Sequence, residues 1–161
     1  MKLSQLALGA AVSVGVIGLA PMALAAELFF EGDMVRGGTK DGETGPHCVI
    51  TSQYKRQERV VWRVRVLQDD GQPADDKALK SLIVEIPGGE QFPMHYGDHP
   101  HGEPTDSFWA TSWAIPADYP TGTIGYKVIA TDMDGSTQEW EPFNVAVSKL
   151  TVIPGEVTFT K

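Results

Sequence analysis

Cysteine is the residue that this sequence has least of. Cys48 is the only one among 161 residues, so an internal disulfide cannot form. We expect its thiol to be buried and inert, exposed and reactive, paired with another chain, or bound to a metal.

Recognisable catalytic motifs are also missing. The sequence has no Gly-x-Ser-x-Gly elbow, no His-Glu-x-x-His helix, no Cys-x-x-Cys-His haem motif and no phosphate-binding glycine loop. His47 precedes Cys48, but neighbouring side chains on a strand face opposite ways, which disfavours a nucleophile and base pair. We therefore expect that the protein is not an enzyme.

Basic residues are scarce. The chain has 13 Lys and Arg against 21 Asp and Glu, a formal net charge of −8. Such a surface repels nucleic acid and anionic membranes, and it favours cationic ligands or metal ions. We expect no nucleic acid among its partners.

One long apolar run is present, and it lies at the N-terminus. Lys2 precedes the apolar run from Leu6 to Leu19, and Ala23-Leu24-Ala25 gives a small-x-small cleavage site. We interpret residues 1–26 as a cleaved secretion signal, too short for a membrane anchor, and expect a periplasmic protein without membrane insertion. About 135 residues then remain, enough for one compact domain.

Short stretches with period-two alternation dominate the remainder. In Arg59–Leu67 the apolar residues Val60, Trp62, Val64 and Val66 face one way, which is typical of a half-buried antiparallel strand. Residues 27–46 are predicted to form an N-terminal arm or edge strand, and residues 47–161 a sandwich with a C-terminal strand extension. Further strands are predicted at 47–54, 82–86, 91–96, 108–115, 123–131, 140–147 and 150–159.

The stretch from Ile115 to Gly135 carries a family resemblance. It contains Pro116-x-x-x-x-x-Gly122, then Tyr126-x-Val-x-Ala-x-Asp132 and a glycine-containing hairpin. In this it resembles bacterial immunoglobulin-like and fibronectin type III-like domains. The resemblance implies an all-β fold, a single immunoglobulin-like antiparallel two-sheet sandwich of about seven to nine strands. The paired core cysteines of antibody-type domains are absent, and such a fold does not by itself imply a function.

A histidine-rich segment is the strongest candidate site. Three of the four histidines fall within seven residues of the turn-rich stretch from Met94 to Pro104. Imidazole is a common metal ligand, and a thioether favours Cu(I), so we expect copper, with zinc second. A solvated polar loop and a loop that docks on a partner are the alternatives. The candidate ligands are His95, His99 and His101, with Met94, His47 and Cys48 as further donors.

A basic stripe is the second candidate. Arg59, Arg63 and Arg65 share the outward face of their strand. They predict either a docking face for a protein partner or an outward face paired with acids across the sheet. A protein-interaction module of an exported redox or envelope complex, with no metal, is thus the alternative to copper binding.

Overall fold

The structure is a computed structural model that describes residues 27–38, 48–99 and 106–156. The predicted secretion signal, His47 and His101 lie outside these residues. The described chain forms twelve strands and one short 3₁₀ turn, Ala146–Ser148. The strands are β1 (Phe29–Gly37), β2 (Val49–Ile50), β3 (Gln53–Arg56), β4 (Arg59–Leu67), β5 (Leu79–Ile86), β6 (Glu90–Pro93), β7 (His95–His99), β8 (Asp106–Ala114), β9 (Gly122–Ile124), β10 (Lys127–Asp132), β11 (Thr137–Trp140) and β12 (Leu150–Glu156).

The strands form three sheets, which confirms the prediction of an all-β sandwich. One sheet has the order β2-β1-β4-β8-β7, and the second has the order β11-β10-β5-β6. A small third sheet, β3-β12-β9, contains the parallel pairing of β12 with β3. In the described part of the chain no helix has the length and apolar character needed to cross a bilayer.

The core lies between the two larger sheets and is centred on Trp62. The predicted alternation of β4 holds, with Val60, Trp62, Val64 and Val66 all buried. The Trp62 ring lies 5.5 Å from that of Phe92 on the opposite sheet and 6.3 Å from that of Trp113 on its own sheet. Such aromatic pairs add to the free energy gained from area burial alone.

Two predicted strands are each divided between different sheets. Residues 91–96 become β6 and β7, separated by Met94, whose backbone N–H donates to the carbonyl of Leu82 at 2.8 Å. Residues 123–131 become β9 and β10, separated by Gly125 and Tyr126. Side-chain alternation continues through such corners, where a strand bends from one sheet to the next, and so the pattern predicted one strand in each case.

The N-terminal segment is a full strand of the first sheet. β1 pairs with β4 at nine consecutive positions, from Phe29 with Leu67 to Gly37 with Arg59. On its other side β2 pairs only with Val35 and Arg36. Most of β1 therefore forms an edge of that sheet.

The predicted strand at 140–147 does not form. β11 ends at Trp140, and Phe143 and Val147 are 84% and 79% exposed. Pro142 lacks an N–H group to donate to a ladder, and the chain reaches the next strand only at Leu150. These apolar side chains are left in solvent.

Replacing Trp62 with Ala should lower the free energy of unfolding by about 3–5 kcal/mol, because the change removes the ring that joins the two sheets. Urea unfolding measures this loss. Met133→Ala, at an exposed hairpin position, is the control and should change stability by less than about 0.5 kcal/mol. Equal stabilities for the two variants would contradict the central position of Trp62.

Candidate functional site

The histidine segment is partly a strand. β7 is the edge strand of the first sheet and pairs with β8, His95 opposite Ala110 and His99 opposite Asp106. His95 and His99 are exposed, whereas Met94 is 5% exposed and belongs to the core. The thioether of Met94 is therefore not presented together with the imidazoles, and its role as a ligand stays a prediction.

The two described histidines are also held apart. Four residues along a strand span about 13 Å, whereas the nitrogens that bind one ion lie within about 2.1 Å of it. The His99 ring instead lies 5.5 Å from that of Phe108. Within residues 27–38, 48–99 and 106–156, no group of three His, Cys, Asp or Glu could hold a metal ion. Copper or zinc binding that includes His101 or His47 stays a prediction.

Cys48 is exposed and free, and it directly precedes β2. Its backbone N–H donates to the carbonyl of Arg36 at 2.9 Å, and its φ angle is 59°. β2 and β7 are the opposite edges of the five-stranded sheet, roughly 19 Å apart at the usual spacing between strands. Cys48 is therefore not brought together with His95 or His99.

The arginine stripe is paired with acids on neighbouring strands. Arg63 lies opposite Asp33, and its Nε donates to Oδ1 of that carboxylate at 2.7 Å. Arg65 donates to Glu31 and to Asp106. Its hydrogen bond holds the pKa of the Asp106 carboxyl below the usual range.

Arg59 completes the stripe and donates from Nη1 to Oγ of Ser112 at 3.4 Å. Two of the three arginines, Arg63 and Arg65, are thus paired with acids across the sheet. Docking of a protein partner on this face stays a prediction.

Arg65→Met should raise the pKa of Asp106 toward that of a free carboxyl, since the guanidinium that stabilises the anion is lost. The pKa of Asp106 in the unfolded chain is about 4. In the wild type the lowered folded pKa stabilises the protein at any pH above that value, and this stabilisation is lost as the pH falls through the folded pKa. The stability difference between the two proteins should therefore shrink in acid. NMR titration of the carboxyl measures the pKa.

Arg59→Met is the control for this titration, because Arg59 donates to a hydroxyl rather than to Asp106. An unchanged Asp106 pKa in Arg65→Met would contradict the pairing.

A groove of about 650 Å³ lies beside β1, away from the arginine stripe. Its lining includes the buried side chains of Met34 and Tyr126. Three large apolar side chains that also line it are mostly in solvent: Ile50 at 69%, Phe143 at 84% and Val147 at 79% exposure. We call this the apolar groove.

The groove is lined on one side by β1 and on the other by the chain that follows β11. Trp140 stacks on Phe30, with ring centroids 6.1 Å apart and planes at 7°. A Cβ on Gly32 would lie 3.1 Å from the same indole, so the glycine permits this close contact. Beyond Trp140 the segment carrying Pro142 and Phe143 lines the far side.

The described lining of the groove also carries polar groups. Thr51, Ser52, Gln53 and Ser148 contribute hydroxyl and amide groups, and Asp33 a carboxylate. Burial raises the pKa of the Tyr126 phenol to about 12, so this group stays protonated at neutral pH. An apolar concavity with a few polar groups is the usual form of a ligand-binding or active site.

Comparison of the chain with protein-family models, curated proteins and solved structures found no match.

Met94→Leu should leave the affinity for Cu(I) unchanged, because the thioether lies in the core. The swap conserves volume and should cost less than about 1.5 kcal/mol in stability. Calorimetric titration of the wild type, of Met94→Leu and of a His95/His99/His101→Ala variant with Cu(I), Cu(II) and Zn(II) measures each donor's contribution. Weaker Cu(I) binding by Met94→Leu alone would show that Met94 leaves the core to bind metal.

Proposed function

We propose that the chain is an exported accessory domain that binds another protein through the apolar groove. The observation that carries this proposal is the cluster of Ile50, Phe143 and Val147, exposed around one concavity. Contiguous exposed apolar surface, as opposed to scattered single residues, is typical of interaction sites.

The proposed scaffold is an immunoglobulin-like sandwich. The orders β1-β4-β8-β7 and β6-β5-β10-β11 correspond to A-B-E-D and C′-C-F-G of that fold. The strands also follow one another along the chain in the sequence A, B, C, C′, D, E, F, G. Tyr126 directly precedes β10, near the position of the tyrosine corner in such domains.

The groove lies at the open side of this sandwich, between β11 and the part of β1 that β2 does not cover. At an open side, a partner can contact the apolar residues while the two sheets stay packed against each other. Fully covering a large apolar side chain contributes about 1.5–3 kcal/mol to binding. Three such residues therefore supply a substantial part of the binding free energy, from which the entropic cost of association is subtracted.

Protein binding is favoured over copper binding by the same geometry. The apolar groove is already formed by described residues, whereas Met94 is buried and His95 and His99 are far apart along β7. Export, and hence a periplasmic partner, follows from the predicted secretion signal.

Photo-cross-linking tests the proposal in the organism that makes the protein. p-Benzoylphenylalanine replaces Phe143 or Val147 in turn, and replaces Met133 as the control, since Met133 is also exposed but does not line the groove. We expect one protein to be linked from both groove positions and not from position 133.

That partner, once purified, should bind Phe143→Ser/Val147→Ser at least about tenfold more weakly than the wild type, a loss of about 1.4 kcal/mol. Met133→Ser should bind normally. Identical products at all three positions, or equal affinities for wild type and groove variant, would overturn the proposal.

A further inference from the structure

We infer that the partner supplies an extended segment that adds to the edge of β1 as a further strand, with apolar side chains at alternate positions and basic residues at its ends. This inference rests on the proposed function and names the kind of ligand that the apolar groove accepts.

Among the residues that the structure describes, the backbone pairing of β1 has a gap at its outer edge. The carbonyl of Met34 accepts from the N–H of Thr51 at 3.1 Å, and the N–H of Leu28 donates to Oε1 of Gln138 at 3.0 Å. Backbone groups of alternate residues point to the same side of an antiparallel strand. Phe30 and Gly32, midway between Leu28 and Met34, therefore direct their N–H and C=O groups to this side.

No strand within the described ranges pairs with β1 on this side before Val35. The six-residue interval from Leu28 to Met34 spans about 20 Å, enough for a short strand. An edge with unpaired backbone groups is the template on which strand addition occurs.

The apolar groove lies beside this gap. Phe30, Gly32 and Met34 are opposite Val66, Val64 and Trp62 of β4, so these positions of β1 face the core. Every second side chain of an added strand would point to the same face, toward Tyr126 and Trp140 in the groove. Backbone pairing and apolar contacts can thus be made by one extended segment.

Charge distinguishes a heterologous partner from a second copy of this chain. Asp33 is the one charged side chain among the described lining residues, and it is already paired with Arg63. The chain has a net charge of −8, so a second copy would bring the same charge to the interface. Electrostatic complementarity instead favours a segment with basic flanks.

A displayed library of linear twelve-residue peptides tests the inference even while the partner is unidentified. The library is selected on the full mature protein and then screened on Phe143→Ser/Val147→Ser, with Met133→Ser as the control. We expect enriched peptides with apolar residues at alternate positions and Lys or Arg at the ends. Their affinity should fall about tenfold or more on the groove variant only.

N-methylation of the best peptide separates strand addition from other docking modes. Methylating the amides of one alternate set should abolish binding, while methylating the other set should have little effect, because only one set pairs with β1. Weak binding of the peptide to the groove variant, while both methylated forms still bind the wild type, would overturn strand addition. That result would leave the proposed function unaffected.

Three other outcomes are decisive. Enriched peptides that bind the groove variant as well as the wild type would overturn both strand addition and the groove as the docking site. A library that yields no binder would overturn recognition of an extended segment, but the cross-linking result would stand independently. Dimerisation of the wild type that is lost in the groove variant would assign the groove to a second copy.

Discussion

The contact of Trp62 with aromatic rings from both sheets is the interaction on which the rest of the structure depends. Trp62 is fully buried, and it packs on Phe92 across the sandwich, on Trp113 beside it and on Tyr126. These contacts hold β4, the strand that also pairs with β1 and β8, at a fixed distance from the opposite sheet. Tyr126 lines the apolar groove as well, so one aromatic cluster connects the core to the proposed binding site.

The second constraint is the imperfect closure of the sandwich at one side. Phe30 and Trp140 close part of the seam between β1 and β11 by stacking. After Trp140 the chain leaves the second sheet, and the apolar residues that follow have no sheet face to cover. Within the described residues, β2 pairs with β1 only at Val35 and Arg36, which leaves Phe30 and Gly32 without a paired strand there. The apolar surface and the open backbone edge therefore lie side by side.

The sequence predicts the sandwich well where one strand has one buried face. In β4 strict alternation survives because the whole strand stays in one sheet. Alternation cannot show where a strand crosses between sheets, as at Met94 and Tyr126, since the period is the same on both sides of the corner.

The candidate sites were harder to predict, because each depends on tertiary neighbours. The spacing of the histidines does not distinguish a loop from the extended strand that separates His95 and His99. Nor does the sequence show that Cys48 lies at the opposite edge of the sheet. The apolar groove combines β1, the β2 to β3 turn and the segment after β11. Its one sequence signal, the alternation of Phe143, Val145 and Val147, instead predicted a buried strand.

The exchange of backbone amide protons at Phe30 and Gly32 tests the central claim most directly. NMR can follow it in the free protein and in the complex with the cross-linked partner. The account predicts fast exchange in the free protein and at least about tenfold slower exchange in the complex, since the partner's strand would accept from these groups. Equal rates at both residues in a saturated complex would contradict it.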